Sequence, residues 1–132
     1  MKGKKFVLCA AFLLVLGLLV APAFAEKGAL DGKTFAGQVG EQGKESGTKD
    51  NFIFKEGKFR STACDPYGFS EAAYTATGEG ETIAFHAVTT SSTDGTMEWN
   101  GVAKGNKVEG TSTWRKPSAE HSIEHWFKGE LQ

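Results

Sequence analysis

Cys64 is the residue in this sequence best suited to nucleophilic or redox chemistry. The only other cysteine, Cys9, lies in an N-terminal segment that we expect to be removed. A thiol activated by Asp65 or by a histidine close in space could attack a substrate, and an unpaired thiol could form an intermolecular disulfide. No histidine lies near Cys64 along the chain, and a tight turn, residues 65–68, follows it. We therefore expect Cys64 to lie at the rim of the domain. Its role is either passive packing or that of a reactive or intermolecular thiol.

A metal-binding pattern occurs in HSIEH, residues 121–125, which has the spacing of the H-x-x-E-H zinc motif. That chemistry needs both histidines on one face of a helix, with the glutamate acting as a base. The alternation of residues after Ser122 predicts a strand instead, in which His121 and His125 would lie about 13 Å apart, too far for one zinc ion. We therefore expect neither a metal site nor zinc-peptidase activity.

Large aromatic residues and a few polar ones share the predicted inward phase of several segments, as expected for a small-molecule pocket. Trp99 and Trp114 flank the turn at residues 105–106, and the hairpin register makes their rings diagonal neighbours. The rings would give apolar contact, and Ser112 or His125 would orient a polar group. Dense core packing of the same residues is the alternative. The proposed lining comprises Tyr74, Phe85, Trp99, Ser112, Trp114 and His125.

Eight short segments with apolar residues at alternate positions must place these side chains. Residues tolerant of positive φ, such as Glu56-Gly57 and Asp94-Gly95, separate the segments and predict hairpins. Pairing the last strand with the first removes both exposed sheet edges. We therefore predict an all-β fold, a single eight-stranded antiparallel up-and-down β-barrel, either filled or open to one small ligand. The expected strands are 33–41, 49–56, 58–64, 71–78, 82–91, 96–104, 107–116 and 123–131.

The first residues have the pattern of a signal peptide. The basic MKGKK is followed by an apolar run, residues 6–20, and by the small-residue site Ala23-Phe24-Ala25. Cleavage would divide the chain into a signal peptide, residues 1–25, and a barrel domain, residues 26–132. The domain would carry 12 basic residues, 15 less the three removed, against 16 acidic ones, a net charge of −4. We expect a periplasmic or secreted protein with no stable membrane span and no nucleic-acid partner.

The ladder of eight hairpin-linked strands behind a signal peptide resembles the calycin-like barrels, which include lipocalins, fatty-acid-binding proteins and avidins. The opening LDGKTFAG has Gly32 followed by Phe35, where lipocalins have a Gly-x-Trp pattern. The resemblance implies noncovalent binding of a small apolar or amphipathic molecule, which we expect in the barrel or at its mouth. It supplies no catalytic residues and no cofactor, so we expect a protein that is not an enzyme.

A protein-binding module is the alternative function. The chain is also similar to the periplasmic eight-stranded barrels that inhibit secreted metalloproteases through an exposed N-terminal segment, and EKGALDG, residues 26–32, is available for that role. Trp126 lies in phase with outward positions, where it would mark a contact patch. A periplasmic protease inhibitor or an envelope-assembly factor would then act through rim loops, Trp126 or the N-terminal segment.

Overall fold

The computed structural model describes residues 28–118 and 120–132. The expected signal peptide, residues 1–25, lies outside the described residues. Eight strands follow the expected segments closely. They are β1 (Thr34–Glu41), β2 (Thr48–Lys55), β3 (Lys58–Ser61), β4 (Ala72–Glu79), β5 (Thr82–Ser91), β6 (Gly95–Lys104), β7 (Lys107–Arg115) and β8 (Ile123–Leu131).

The strands form one closed antiparallel barrel in which each strand pairs with its neighbours along the chain. β8 also pairs with β1, beginning with Phe35 opposite Leu131, so the sheet closes on itself. The turn between β2 and β3 shows how the strands are connected, because Glu56 and Gly57 both have positive φ, 53° and 79°. Two such residues are typical of a tight hairpin. The predicted all-β, eight-stranded up-and-down barrel is therefore confirmed.

β3 is shorter than expected, and the difference changes the setting of Cys64. The alternation predicts a strand over 58–64, but β3 ends at Ser61 and residues Thr62–Tyr67 form a 3₁₀ helix. The buried carboxylate of Asp50 accepts a hydrogen bond from the backbone N–H of Ala63 at 3.0 Å and so stabilises the helical turn. Cys64 is consequently buried in this helix and does not lie on a strand.

Aromatic rings fill the middle of the barrel. Trp99 is fully buried, and its ring centre lies 5.3 Å from that of Phe127 and 6.1 Å from that of Phe52. Phe54 and Phe85 continue this cluster, with ring centres 4.9 Å apart and planes nearly perpendicular. Most residues predicted to face inward are buried. Of the two alternatives that the sequence left open for this region, the structure shows packing.

The N-terminal turn covers one end of the barrel. Leu30 is 1% exposed, and its backbone N–H donates to the Tyr74 hydroxyl at 2.9 Å. That hydroxyl donates in turn to Asp31 at 2.8 Å, and the Asp31 carboxylate also accepts the N–H of Gly57. Burial raises the pKa of the Tyr74 hydroxyl, which therefore stays protonated as a donor. Residues 28–32 of the N-terminal segment EKGALDG are thus hydrogen-bonded to the barrel and do not form a free segment.

The opposite end of the barrel carries the longer connections between strands. These connections are residues 42–47, 62–71, 92–94 and 116–122, and the second of them contains the 3₁₀ helix. Within residues 28–118 and 120–132, no helix has the length and apolar character needed to cross a membrane. The longer connections surround the barrel end at which the candidate site lies.

Candidate functional site at the barrel mouth

A cavity of about 520 Å³ lies at the end of the barrel opposite the N-terminal turn. We call it the mouth cavity. Its volume falls within the range of about 300–1,000 Å³ that is usual for small-molecule sites. Its walls come from β1, the 42–47 connection, the 3₁₀ helix and the barrel strands β6 to β8. Its lining includes the apolar side chains of Val39, Cys64, Phe69, Met97 and Trp114 and the polar ring of His125.

Trp114 forms a wall of the mouth cavity and is held by several neighbours. Its indole Nε1 donates to the backbone carbonyl of Asp94 at 2.7 Å. Its ring centre lies 6.2 Å from that of Tyr67 and 6.5 Å from that of His125. The Lys116 ammonium lies 4.6 Å from the centre of the indole. Because these contacts fix the ring, Trp114 presents a preformed apolar surface to the cavity.

Ser112 and His125 meet where the mouth cavity borders the packed middle of the barrel. They are direct register partners on β7 and β8, and Ser112 is also the partner of Trp99 on β6. Ser112 is 1% exposed, yet its Oγ has no hydrogen-bond partner among the described residues. The buried Nδ1 of His125 has none there either. Unpaired buried polar atoms are costly, so this pair indicates a place where a polar group of a ligand would be stabilised.

Burial favours the neutral form of the His125 imidazole. It lowers the pKa of the ring below the ordinary value of 6.5, while the carboxylate of Glu41 and a hydrogen bond to the backbone of Ile123 act in the opposite direction. A neutral imidazole has one nitrogen that donates and one that accepts. The imidazole of His125 therefore lines the mouth cavity, and the hydroxyl of its register partner Ser112 lies buried next to it.

A buried polar cluster, Asp50, Ser61 and Cys64, supports the wall formed by the 3₁₀ helix. Ser61 Oγ donates to the Asp50 carboxylate at 2.5 Å and lies 3.5 Å from Cys64 Sγ. Burial raises the pKa of the Asp50 carboxyl, and its hydrogen bonds from Ser61 and neighbouring backbone groups oppose that rise. Burial also raises the pKa of the Cys64 thiol to about 11. Both the burial and the protonated state of Cys64 disfavour a nucleophilic or intermolecular-disulfide role.

Trp126 lies on the outer side of the barrel and anchors the 42–47 connection. Its indole Nε1 donates to the carbonyl of Lys44 at 2.8 Å. The ring packs against Gly40, where an added Cβ would come within 2.6 Å of it, and Lys128 lies 5.6 Å from the ring centre. Trp126 is therefore partly covered, and it braces a loop that lines the mouth cavity.

The structure brings together part of the predicted ligand lining. Trp114 and His125 line the mouth cavity, Ser112 lies beneath them, and Cys64, predicted as a separate thiol site, lines the same cavity. The adjacent strands β7 and β8 place the first three residues by alternation. Trp114, Ser112 and His125 are therefore close together in the structure, and two of them line one cavity.

The other predicted lining residues lie elsewhere. Tyr74 belongs to the end covered by the N-terminal turn, and Phe85 and Trp99 belong to the packed middle; all three are buried, and none lines the mouth cavity. A ligand could touch them from inside the barrel only if several aromatic rings moved. The described cavity therefore lies at the mouth of the barrel and not in its packed middle.

Sequence reasoning missed two residues that shape the site. Asp50 is 3% exposed, and it has the same alternating phase as Phe52 and Phe54, so the pattern of β2 contained a signal for its inward position. Phe69 lines the mouth cavity from the connection between β3 and β4, where alternation gives no information. Its backbone N–H reaches the carbonyl of Cys64 only because the 3₁₀ helix forms.

A larger groove of about 740 Å³ lies on the outer face of strands β5 to β8. Gly101 and Gly110, direct register partners, contribute to it, with Trp126 and Lys128 also along it. His125, which carries one of the two polar atoms without a partner, lines the mouth cavity and is absent from the groove, whereas Ser112 belongs to neither lining. We therefore assign the candidate site to the smaller mouth cavity.

In the described ranges, no three side chains of His, Cys, Asp or Glu are grouped so as to hold a metal ion. Comparisons of the chain with protein-family models, curated proteins and solved structures found no match.

Proposed function

We propose that the protein binds a small amphipathic molecule noncovalently in the mouth cavity. The observation that carries this proposal is a preformed cavity of about 520 Å³ at one end of a barrel whose middle is packed. Walls from Val39, Phe69, Met97 and Trp114 would hold the apolar part of the ligand. Burial of about 150 Å² of apolar ligand surface would contribute roughly 4 kcal/mol.

We propose binding rather than catalysis as the function of this site. The side chain in the cavity with the strongest nucleophilic potential, Cys64, is buried, and its pKa of about 11 keeps the thiol protonated. The ligand would be met in the periplasm or outside the cell, the location that the N-terminal sequence predicts. Neither covalent chemistry nor a cofactor is needed for this role.

A cavity-filling variant tests the proposal. Ala63 lines the mouth cavity, whereas Ala73 is exposed on β4, so Ala63→Phe and Ala73→Phe add the same ring inside and outside the site. The neutral fluorescent probe N-phenyl-1-naphthylamine should bind the wild type and Ala73→Phe with similar affinity. Ala63→Phe should weaken its binding at least tenfold. Equal binding by all three proteins, or no binding by the wild type, would contradict the proposal.

A protein partner is a second candidate, favoured by the exposure of one aromatic ring beside the mouth. Tyr67 is 55% exposed although it is next to Trp114, with ring centres 6.2 Å apart. Exposed tyrosines are frequent anchors in protein interfaces. An envelope protein that the wild type captures and that Tyr67→Ala no longer captures, although it still binds the probe, would favour this candidate.

A further inference from the structure

We propose that the ligand of the mouth cavity carries a neutral hydroxyl group that enters first and hydrogen-bonds to Ser112 Oγ and His125 Nδ1. This inference rests on the proposed function and specifies its ligand class and orientation. The two atoms are the buried side-chain polar atoms without a partner among the described residues. They belong to register partners on β7 and β8. Side chains of such partners begin about 5 Å apart, so one small group can reach both.

The chemistry of the two atoms indicates a group that both donates and accepts. A serine hydroxyl can donate and accept, and Nδ1 of a neutral imidazole does one or the other according to its tautomer. A ligand hydroxyl can pair with both in either tautomer, for example by accepting from Ser112 and donating to His125. An ether oxygen can only accept, so it would leave a donor or acceptor unpaired in a buried place.

The charges around the site argue for a neutral head group. Glu41 lines the mouth cavity, and the buried Asp50 lies beneath the 3₁₀ helix, so a carboxylate ligand would meet like charge. Lys44 also lines the cavity, but it pairs with Glu41 at 3.6 Å. A cationic amine would have to leave Glu41 and lose its hydration in order to reach a hydroxyl and a neutral imidazole.

The apolar part of the same ligand would point toward the outside. Trp114 follows Ser112 in the inward phase of β7 and stands above it, and Met97 is the partner of Trp114 on β6. Both residues line the mouth cavity. This order of groups, polar below and apolar above, fits a short-chain or aromatic alcohol held by its hydroxyl end.

Competition between isomeric probes tests this orientation. The molecules 1-octanol and 1-methoxyheptane have the same atoms, but only the alcohol can donate. Displacement of N-phenyl-1-naphthylamine from the purified protein should require about tenfold less 1-octanol than 1-methoxyheptane, a ratio expected for about one net hydrogen bond. Octanoate and octylamine should compete more weakly than 1-octanol.

Variants assign the difference to the two residues. Ser112→Ala should weaken the binding of 1-octanol about tenfold and change that of 1-methoxyheptane by less than about twofold. Thr111 is exposed on the same strand, so Thr111→Ala should change the affinity for neither compound. His125→Leu should also weaken the binding of 1-octanol. His125→Asn should keep part of the affinity, because the side-chain amide of the asparagine lies near the position of Nδ1. His86→Asn on the outer face is the matched control.

The outcomes separate this inference from the proposed function. If the fluorescent probe binds but the alcohol and the ether compete equally in the wild type, the hydroxyl assignment is overturned while the binding function stands. Tighter competition by octanoate or octylamine would overturn it as well. If no probe binds, the proposed function fails and this inference fails with it.

Discussion

Ser61 donates a 2.5 Å hydrogen bond to the buried carboxylate of Asp50, and this pair joins the barrel wall to the 3₁₀ helix at its mouth. Asp50 also accepts from the backbone N–H of Ala63 in the first turn of that helix, at 3.0 Å. The helix carries Cys64 and Tyr67, both of which line the mouth cavity. The shape of the candidate site therefore depends on a polar contact inside the barrel.

Replacement of Asp50 should distinguish its hydrogen bonds from its charge. Asp50→Asn keeps an acceptor for Ala63 and removes the cost of a buried charge, so we expect its free energy of unfolding at pH 7 to equal or exceed that of the wild type. Asp50→Leu leaves Ser61 and Ala63 without their acceptor and should lower that free energy by about 2–4 kcal/mol. Urea unfolding measures both. Equal losses in the two variants would show that the charge itself is required.

The raised pKa of Asp50 predicts an unusual dependence of stability on pH. Since its pKa in the folded protein exceeds the ordinary value of 3.8, folding favours the protonated carboxyl. Its contribution to stability is therefore greatest below pH 3.8 and is lost as the pH rises through the folded-state pKa, with a slope of at most about 1.4 kcal/mol per pH unit.

Glu98 should contribute in the opposite direction, because its hydrogen bonds from His86 and Arg115 lower its pKa. The comparison of wild type with Asp50→Asn isolates the Asp50 contribution. Urea unfolding from pH 3.5 to 7 should show that the stability of the wild type relative to Asp50→Asn falls as the pH rises. A relative stability that rises with pH would mean that the folded protein favours the ionised carboxylate.

Cys64 should react slowly with thiol reagents in the folded protein. With a pKa of about 11, roughly one thiol in a thousand is ionised at pH 8, against about one in four for an ordinary cysteine. We expect Ellman's reagent to modify it at least 100-fold more slowly than in urea. Tyr67→Cys in a Cys64→Ser background supplies an exposed thiol as control. Comparable rates for the two thiols, or a dimer lost on reduction, would restore the reactive or intermolecular role.

The two tryptophans on β6 and β7 should have different roles. Trp99 is 0% exposed among the aromatic rings of the core, so Trp99→Leu should lower the free energy of unfolding by about 2–4 kcal/mol. Trp114→Leu should lower the free energy of unfolding by about 1–2 kcal/mol. It should also abolish probe binding, because Trp114 lines the mouth cavity. Chemical unfolding and a probe titration separate these effects. A binding loss confined to Trp99→Leu would place the ligand inside the barrel instead.

The barrel could be predicted from the sequence because strands and hairpins are indicated by residues close together along the chain. Alternation along β2 and β6 placed Phe52, Phe54 and Trp99 inward, and turn residues such as Gly57 marked the hairpins. Whether those rings fill the interior depends on how they meet across the barrel. For example, an added Cβ at Gly101 would lie 2.6 Å from the Phe127 ring, a relationship between β6 and β8 that alternation does not encode.

The candidate site was harder to predict because it depends on long-range contacts. Cys64 turns inward only because Asp50, which precedes it by more than ten residues, stabilises the 3₁₀ helix. The cavity lies at the mouth because Leu30 covers the other end of the barrel. Leu30 is held there by a hydrogen bond to Tyr74, 44 residues away along the chain. Such pairings follow from the closed barrel and are not visible as motifs.

The indole N–H signals of the three tryptophans offer the most direct test of the central claim. Trp114 lines the mouth cavity, Trp99 is in the packed middle, and Trp126 is on the outer side with its N–H bound to Lys44. Two-dimensional ¹H–¹⁵N NMR, assigned with single Trp→Phe variants, reports on the three places at once. Titration with N-phenyl-1-naphthylamine should shift the Trp114 signal saturably and leave the Trp99 and Trp126 signals nearly unchanged. An unmoved Trp114 signal, or a dominant shift at Trp99 or Trp126, would contradict a binding site at the barrel mouth.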